Sequence, residues 1–278
     1  MDMIESMNNG PGEYAQYLLN WRVLTDDQRS LRHLCIAVQE ALKDYAIAEG
    51  DLVQILDVCA GTGFCGKSVA SAVAGLGLQP NVTFTDRDSR VASCVEIANN
   101  KEHIVIDDAV TLSKFSDKTF DLVCSRYGFN NLSKDEWESA LNAVLRVLRP
   151  GGTFILQDHF IPGKTFCSMV NEAEQFLAAL EGKAVQPYIF STEDLNELLD
   201  AHDDVESRIK TGYPLQINIF ERLEAKARAN PLFDAQETMK KLNDFYRKVC
   251  LEKYQVQIVD PESYIPVYNV TYRIKKRG

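Results

Sequence analysis

The chain lacks a net basic charge, a Cys-x-x-Cys pair and any long apolar run. A formal charge of −10 argues against a protein that grips nucleic acid or an anionic membrane through a basic field. The seven cysteines are scattered and odd in number, which is typical of reduced, buried thiols and predicts no metal site. The acidic N-terminus has no signal-peptide pattern, and no segment reaches the length of a membrane span. We therefore expect a cytoplasmic protein.

The segment Val53–Phe64 is the most informative part of the 278-residue sequence. A short apolar run ends in an acid, and a loop of small residues and a helical pattern follow it. Branched apolar residues before a glycine loop predict a buried strand of an α/β sheet. Glycines at Gly61 and Gly63 would let the backbone pass close to a ligand, where a Cβ would collide with it.

Four further apolar runs follow this segment in order, and each predicts another strand. They are Val82–Asp86, Ile104–Ile106, Thr119–Ser125 and, after a Pro-Gly-Gly turn, Thr153–Leu156. An acid at the position of Asp86, at the end of the second strand, can accept both ribose hydroxyls of a bound adenosine. Asp108, after the third strand, could reach an adenine amine. Aspartate is also a common residue at turns and helix caps, so the alternative interpretation is that Asp86 and Asp108 have only a structural role.

This series resembles the class I S-adenosylmethionine (SAM)-dependent methyltransferases over roughly residues 51–160. The segments Phe120–Val123 and Leu148–Gly152 carry most of the likeness, and Tyr127–Leu132 is most similar to the branch that methylates quinones and other small molecules. The resemblance implies an α/β fold with a Rossmann-like, seven-stranded, mostly parallel sheet and helices on both faces. It also implies methyl transfer from SAM to an O, N or C nucleophile of a small molecule.

The resemblance further implies which residues hold SAM. Asp57 would hold the amino end of the methionine part, directly or through water, and Ser125 would lie beneath the methionine chain. Arg87 would cover the adenine with its aliphatic stem, or stay a surface charge. The family has the first glycine of the loop at the position of Cys59, so this residue departs from the pattern. Cysteine is small, and we expect the loop to keep its conformation. The full predicted set is Asp57, Ala60, Gly61, Gly63, Asp86, Arg87, Asp108, Ala109 and Ser125.

Other functions fit the residues less well. The segment Gly61–Gly66 also matches the G-x-G-x-x-G fingerprint of nicotinamide dinucleotide enzymes, but a carboxylate at Asp57 would repel a pyrophosphate. An RNA methyltransferase is disfavoured, because residues 125–128 read Ser-Arg-Tyr-Gly where exocyclic amine methylation needs an Asn/Asp-Pro-Pro-aromatic motif. A non-catalytic SAM-binding subunit stays open, since the acids indicate binding and do not show turnover.

His159 is the candidate base, because it follows the fifth strand and the active sites of open α/β sheets form beyond the carboxyl ends of the strands. Histidine also exchanges a proton readily near neutral pH. The alternative is a hydrogen-bonded structural histidine. Tyr127, just after the fourth strand, is a second candidate for lining the methyl-transfer point, and its alternative is simple packing.

The parts outside the resemblance predict the surroundings of the acceptor. Residues 1–50 predict N-terminal helices in which Tyr14, Tyr17 and Trp21 share one face, as core residues or as a lid over the substrate. Residues 161–278 complete the sheet with strands near 205–210 and 267–275. An insertion of about residues 215–263, with amphipathic helices at 217–228 and 235–254, separates these two strands. It is a lid, an arm that joins a homodimer, or both.

Overall fold

A computed structural model of the protein describes residues 28–43, 48, 50–92, 95, 102–161, 163–180, 188–218, 224, 234–252 and 264–278. The predictions for Tyr14, Tyr17 and Trp21 and for most of the first insertion helix lie outside these residues. Among the described helices, none combines the length and the apolar character that crossing a membrane requires.

Strands and helices alternate along the first part of the chain, except that β4 follows β3 directly. Their bounds are α1 Gln28–Lys43, β1 Leu52–Val58, α2 Phe64–Ala74, β2 Gln79–Asp86, α3 Ser89–Ala92, β3 Glu102–Ile106, β4 Phe120–Arg126, α4 Lys134–Val147 and β5 Leu148–Phe160. The second part adds α5 Lys164–Leu180, α6 Thr192–Asp200, β6 Val205–Asn218, α7 Ala235–Glu252 and β7 Tyr264–Lys276. A 3₁₀ turn, Phe129–Asn131, lies between β4 and α4.

The seven strands form one sheet in the order β3-β2-β1-β4-β5-β7-β6. Strands β1 to β5 pair in parallel, and β7 is antiparallel to both β5 and β6. The predicted seven-stranded, mostly parallel α/β sheet is confirmed. The strand order changes direction between β1 and β4, and ligands of open α/β sheets bind at such a switch point, outside the carboxyl ends of the strands.

Each face of the sheet buries its own core. On one face, aromatic residues of α4 and the sheet pack together, with Trp137 edge-on to Phe129 at 5.0 Å between ring centroids. On the other face, Leu34 and Val38 of α1 pack with α2 and the sheet. Helix α1 is therefore part of the fold, so the predicted lid concerns residues 1–27, outside the described part of the chain.

The two segments most typical of the family contact each other across the sheet. The Asp121 carboxylate accepts a hydrogen bond from the Gln54 amide at 2.8 Å and pairs with the Arg149 guanidinium at 2.6 Å. A Cβ on Gly152 would lie 2.9 Å from the Arg149 carbonyl oxygen. Asp121 thus ties Gln54 of β1 to Arg149 near the start of β5, which is a structural role.

The insertion begins later than the sequence predicts. Strand β6 extends to Asn218, which pairs with Tyr264 of β7, so residues 217 and 218 are strand where a helix is predicted. Continued pairing with β7 satisfies their backbone groups and overrides the helical periodicity. The second helix is confirmed as α7. It packs on α5 of the same chain, with Phe245 stacked on Phe176 at 4.5 Å and Leu242 buried.

Candidate active site

The loop after β1 leaves room for a ligand against its backbone. Gly61 and Gly63 have φ angles of +56° and +77°, which favour glycine. The Ala60 amide donates to the Thr85 carbonyl oxygen at 2.9 Å, and the Gly63 amide donates to that of Ala60 at 2.8 Å. A Cβ built on Gly61 would meet no atom within 4 Å. The loop is therefore fixed to β2 and presents open space at Gly61.

Cys59 adopts the left-handed conformation, with φ of +56°, at the position where the family has a glycine. That conformation costs about 1–2 kcal/mol in a residue with a Cβ. Gly128, beyond the end of β4, lies against it, and a Cβ on Gly128 would come within 2.4 Å of the Cys59 Cβ. The missing side chain at 128 makes room for the extra one at 59, and the loop keeps its turn as expected.

Asp86 ends β2 and holds the glycine loop. One carboxylate oxygen accepts from the Gly61 amide at 3.2 Å and the other accepts from the Asp88 amide at 3.1 Å. Burial raises the pKa of Asp86 above its ordinary value, and the two amide donors oppose this rise. Arg87 is exposed next to it, and its charge also lowers the pKa of Asp86. The structure thus places Asp86 beside Gly61, as a ribose-binding acid requires.

Asp57 points into the interior, which the sequence did not predict. Its side chain is fully buried and accepts from the Gly66 amide at 2.7 Å and from the Cys124 thiol at 3.7 Å. Burial raises the pKa of Asp57 to about 7. No surface of Asp57 is exposed to a ligand in this arrangement, so contact with an amino group through water stays a prediction.

Two thiols surround Asp57. The ligand atoms of Asp57, Cys65 and Cys124 lie within 4.8 Å of one another, which is the spacing of a group that could hold a metal ion. Hydrogen bonds among the three residues account for their contacts as they stand. The hydrogen bond with Cys65, together with burial, raises the pKa of the Cys124 thiol well above its ordinary value, and the pKa of Cys65 is raised by burial against the opposing hydrogen bond with Cys124. The prediction of no metal therefore stays a prediction.

The two acids after β3, Asp107 and Asp108, differ in burial and in hydrogen bonding. Asp107 is buried and accepts from the amides of Asp108 and Lys114, at 2.9 Å and 2.7 Å. Asp108 is half-buried and accepts from the Val110 amide at 2.9 Å. Ala109 is buried in the core on the α4 face. Asp107 therefore builds the turn, and Asp108 keeps a partly exposed carboxylate beside β2 and β3.

The predicted catalytic pair is brought together at the ends of β4 and β5. The rings of Tyr127 and His159 lie 4.6 Å apart, and His159 is 8% exposed. Tyr127 has φ of +54°, an unusual backbone angle for a residue with a side chain. Its hydroxyl contacts Ser30 Oγ at 3.2 Å and accepts a hydrogen bond from Asn269 Nδ2. Asn269 stands directly opposite His159 in the β5–β7 ladder.

A hydrogen-bond network around Gln157, which the sequence did not indicate, joins this pair to α1. Gln157 Nε2 donates to the Ser30 carbonyl oxygen and to Thr271 Oγ1, both at 2.8 Å. Gln157 Oε1 accepts from Ser30 Oγ at 2.8 Å and from Arg126 Nε at 2.9 Å. The members come from α1, β4, β5 and β7, so no local motif could have revealed them.

The turn after β4 is anchored by a buried acid. Asp158 accepts from the His159 amide at 2.9 Å and from the Asn130 amide at 3.2 Å, and Asn130 Nδ2 is a further donor. Burial raises the pKa of Asp158 to about 7. Ser125, at the same strand ends, is fully buried, and its Oγ has no hydrogen-bond partner within the described residues. Buried polar atoms are ordinarily hydrogen-bonded, so Ser125 is an exception among the described residues.

The family comparison agrees with this geometry. Residues 55–152 match the family described as "Methyltransferase domain". The chain is similar to this family over about a third of its length. The match begins within β1 and ends within β5, so it contains the glycine loop and Asp86. This result favours the methyltransferase interpretation over the dinucleotide one.

Curated relatives extend the likeness in sequence. The chain is 28% identical over 161 residues to the ubiquinone/menaquinone biosynthesis C-methyltransferase UbiE of Ectopseudomonas mendocina, covering 55% of this chain and 60% of that protein. It is 29% identical over 117 residues to the demethylmenaquinone methyltransferase of Staphylococcus aureus, covering 42% of this chain and 46% of that protein. The chain thus spans less than two thirds of the length of these relatives.

Solved structures share the fold. The YcgJ protein of Bacillus subtilis superposes with a TM-score of 0.62 at 16% identity, over 87% of this chain and 99% of that one. An arsenic(III) SAM methyltransferase of Chlamydomonas reinhardtii gives a TM-score of 0.52 at 18% identity, over 87% of this chain and 74% of that one. At these identities the likeness establishes the Rossmann-like fold alone.

Proposed function

We propose that the protein is a SAM-dependent methyltransferase that acts on a small molecule. The observation that carries this proposal is the open space at Gly61 beside the Asp86 carboxylate, at the switch point between β1 and β4, within the residues that match the methyltransferase family. A dinucleotide enzyme or an RNA methyltransferase has no comparable support in these residues.

The residues of the site fit SAM. Asp86 would accept the ribose hydroxyls, and Asp108 lies where an adenine would follow along β3. Gly61 allows close approach of the cofactor, and the Ser125 hydroxyl offers a buried polar atom near the methionine part. When bound, SAM supplies an electrophilic methyl group, and the protein contributes position and charge.

The acceptor would lie at the ends of β4, β5 and β7. The rings of Tyr127 and His159 lie 4.6 Å apart and are tilted by 31°, with the Tyr127 hydroxyl and the His159 nitrogens at their edges, an arrangement that suits an aromatic acceptor. The relatives named as quinone-pathway methyltransferases favour a quinol-like ring. We infer that His159 takes a proton from a hydroxyl or acidic carbon of the acceptor, and that Tyr127 orients it.

The wider assignments follow from composition and packing. A charge of −10 supports a small-molecule acceptor over a nucleic acid, and we propose a cytoplasmic location. A homodimer through the insertion is a further proposal. The buried face of α7 contacts α5 of the same chain, so other residues of the insertion would have to form the dimer contact. The residues of the insertion that would make such a contact lie outside the described ranges.

The test of the cofactor is the variant Asp86→Ala. It removes the carboxylate proposed to hold the ribose, and SAM affinity should fall more than about tenfold, the loss of hydrogen bonds to a charged group. Titration calorimetry with SAM measures this. Asp117→Ala is the control, since Asp117 pairs with Arg146 on the surface. Equal SAM affinity in wild type and Asp86→Ala, or tight binding of a nicotinamide cofactor, would contradict the assignment.

A further inference from the structure

Asn269 of β7 lies beside the candidate pair Tyr127 and His159. It stands directly opposite His159 in the β5–β7 ladder, so the two side chains are on the same face of the sheet. Its side-chain Nδ2 donates a hydrogen bond to the Tyr127 hydroxyl, and the rings of Tyr127 and His159 lie 4.6 Å apart. Asn269 therefore brings a side-chain amide of β7 to the proposed acceptor-binding site.

The side-chain oxygen of Asn269 is buried and lacks a hydrogen-bond partner. Asn269 is 1% exposed, and within the described part of the chain its Oδ1 accepts no hydrogen bond. A buried amide oxygen is ordinarily hydrogen-bonded, and leaving it without a donor costs free energy. The site thus contains a hydrogen-bond acceptor that a bound molecule would satisfy.

The network around Gln157 fixes which way the Asn269 amide faces. Gln157 Nε2 donates to the Ser30 carbonyl oxygen and to Thr271 Oγ1, so Gln157 Oε1 is the accepting atom, and Ser30 Oγ donates to it at 2.8 Å. The Ser30 proton is thereby used, so the hydrogen between Ser30 Oγ and the Tyr127 hydroxyl, which are 3.2 Å apart, belongs to Tyr127. The Tyr127 oxygen then accepts from Asn269, which requires Nδ2 on that side of the amide.

With Nδ2 turned to Tyr127, the Asn269 side chain has only its oxygen left for a ligand. A hydroxyl group on a bound ring can donate a hydrogen bond to Oδ1. A ring carbonyl at the same place would set two oxygens against each other with no hydrogen between them, which leaves both unsatisfied. Such a site discriminates between ligands, because a ligand without the donor leaves the buried oxygen of the protein unpaired.

We propose that Asn269 determines specificity for the methyl acceptor by accepting a hydrogen bond from a hydroxyl group on its aromatic ring. The proposal rests on the proposed function, since it assumes that the acceptor lies against Tyr127 and His159. Asn269 then selects the hydroxyl form of a ring over its oxidised, carbonyl form and orients the ring beside His159. Tyr127 contributes its ring to this site, because its hydroxyl proton is used in the bond to Ser30.

Two aromatic probes that differ in one group test the proposal. The first, α-naphthol, carries a hydroxyl, and the second, α-fluoronaphthalene, has a fluorine of similar size that donates no hydrogen. Titration calorimetry measures the binding of each to protein saturated with S-adenosylhomocysteine, which has no methyl group to transfer. We expect the wild type to bind α-naphthol about tenfold more tightly, the effect of one hydrogen bond to an oxygen that is otherwise buried and unpaired. Asn269→Leu, similar in size but without the amide, should bind the two probes equally.

Three further variants complete the experiment. Asn269→Asp keeps an accepting oxygen at this place and should keep the preference for α-naphthol. Asn269→Ser has a side chain too short to reach the position of Oδ1, and it replaces Asn269→Leu if that variant does not fold. Asn196→Leu is the control, since Asn196 lies on α6 and accepts from Arg208 Nε at 3.1 Å, and it should keep the wild-type ratio.

The outcomes separate this proposal from the proposed function. If the wild type binds neither SAM nor S-adenosylhomocysteine, the proposed function fails. If it binds them but has no preference for α-naphthol, or binds neither probe, only the role of Asn269 is overturned. An equal loss of affinity for both probes in Asn269→Leu also overturns it, because Asn269 would then only hold Tyr127 in place.

Discussion

The proposed cofactor half and the proposed acceptor half of the site are built in different ways. At the ends of β1, β2 and β3, backbone amides and acids from consecutive segments form the site, as Gly61 and Asp86 do. At the ends of β4, β5 and β7, side chains distant in sequence meet, as Ser30, Gln157 and Asn269 do around Tyr127. The first half is local in sequence and the second is assembled by the fold.

This difference suggests how the two halves respond to change. Changes in the cofactor half should alter SAM affinity, because that half supplies the proposed binding atoms. Changes in the acceptor half should alter turnover or stability and leave SAM affinity nearly constant. Arg126 is the exception, since its guanidinium lies against both the Phe64 ring, next to the glycine loop, and the Tyr127 ring.

The largest expected effect is that of His159→Ala. If the acceptor is a hydroxyl or an acidic carbon, turnover should fall by about 10²–10⁴, the usual contribution of a positioned base, with SAM affinity nearly unchanged. Transfer of labelled methyl from SAM to a quinol acceptor, with calorimetry beside it, measures both. His202→Ala, at the end of α6, is the control. Full activity of His159→Ala on such an acceptor would leave His159 a structural residue.

The second prediction concerns the pH dependence of stability. Burial raises the pKa of Asp57 to about 7, so the folded protein holds a proton that the unfolded chain releases near its ordinary pKa. This contribution to stability is full below about pH 4 and is lost as pH rises through about 7, and its size is on the order of a few kcal/mol. Denaturant unfolding at several pH values should show wild-type stability falling over this window.

Isosteric variants separate the contributions of the two buried acids to the pH dependence of stability. Asp57→Asn should remove the part that comes from the cofactor half, and Asp158→Asn the part from the acceptor half, since burial raises the pKa of both acids to about 7. Saturating SAM should reduce the dependence due to Asp57, because a nearby ammonium favours its carboxylate. An identical pH profile in wild type and Asp57→Asn would show that Asp57 titrates normally.

A third prediction tests the contact between the halves at Gly128. Gly128→Ala would place a Cβ 2.4 Å from the Cys59 Cβ and should cost about 1–3 kcal/mol, the usual effect of overpacking. The double variant with Cys59→Gly removes the closest clash and should recover most of this loss. Thermal unfolding of the three proteins measures it. Unchanged stability in Gly128→Ala would mean that the two turns separate easily.

The smallest effect is expected from Tyr127→Phe. It removes the hydroxyl that contacts Ser30 and accepts from Asn269, so a buried amide loses its partner at a cost of about 1 kcal/mol. SAM affinity should not change. Tyr268→Phe, at an exposed tyrosine, is the control for denaturant unfolding. A large loss of SAM affinity would place Tyr127 in the cofactor half.

The sequence alone determined which segments of the first half form strands, where the glycine loop lies, and that Asp86 stands at the end of the second strand. These features depend on short contiguous segments, because burial of a strand and the φ angles of a loop are set by neighbouring residues. Helix α7 was also predicted near its observed bounds, since its apolar residues recur at helical spacing.

Only the tertiary structure decided which side chains face a ligand. It turned Asp57 toward Cys65 and Cys124, extended β6 to Asn218, and joined Arg126 to Gln157. Each of these depends on the pairing of strands that lie far apart in the chain. A periodic pattern shows that a residue belongs to a strand or helix, but its partners are set by the elements that the fold places beside it.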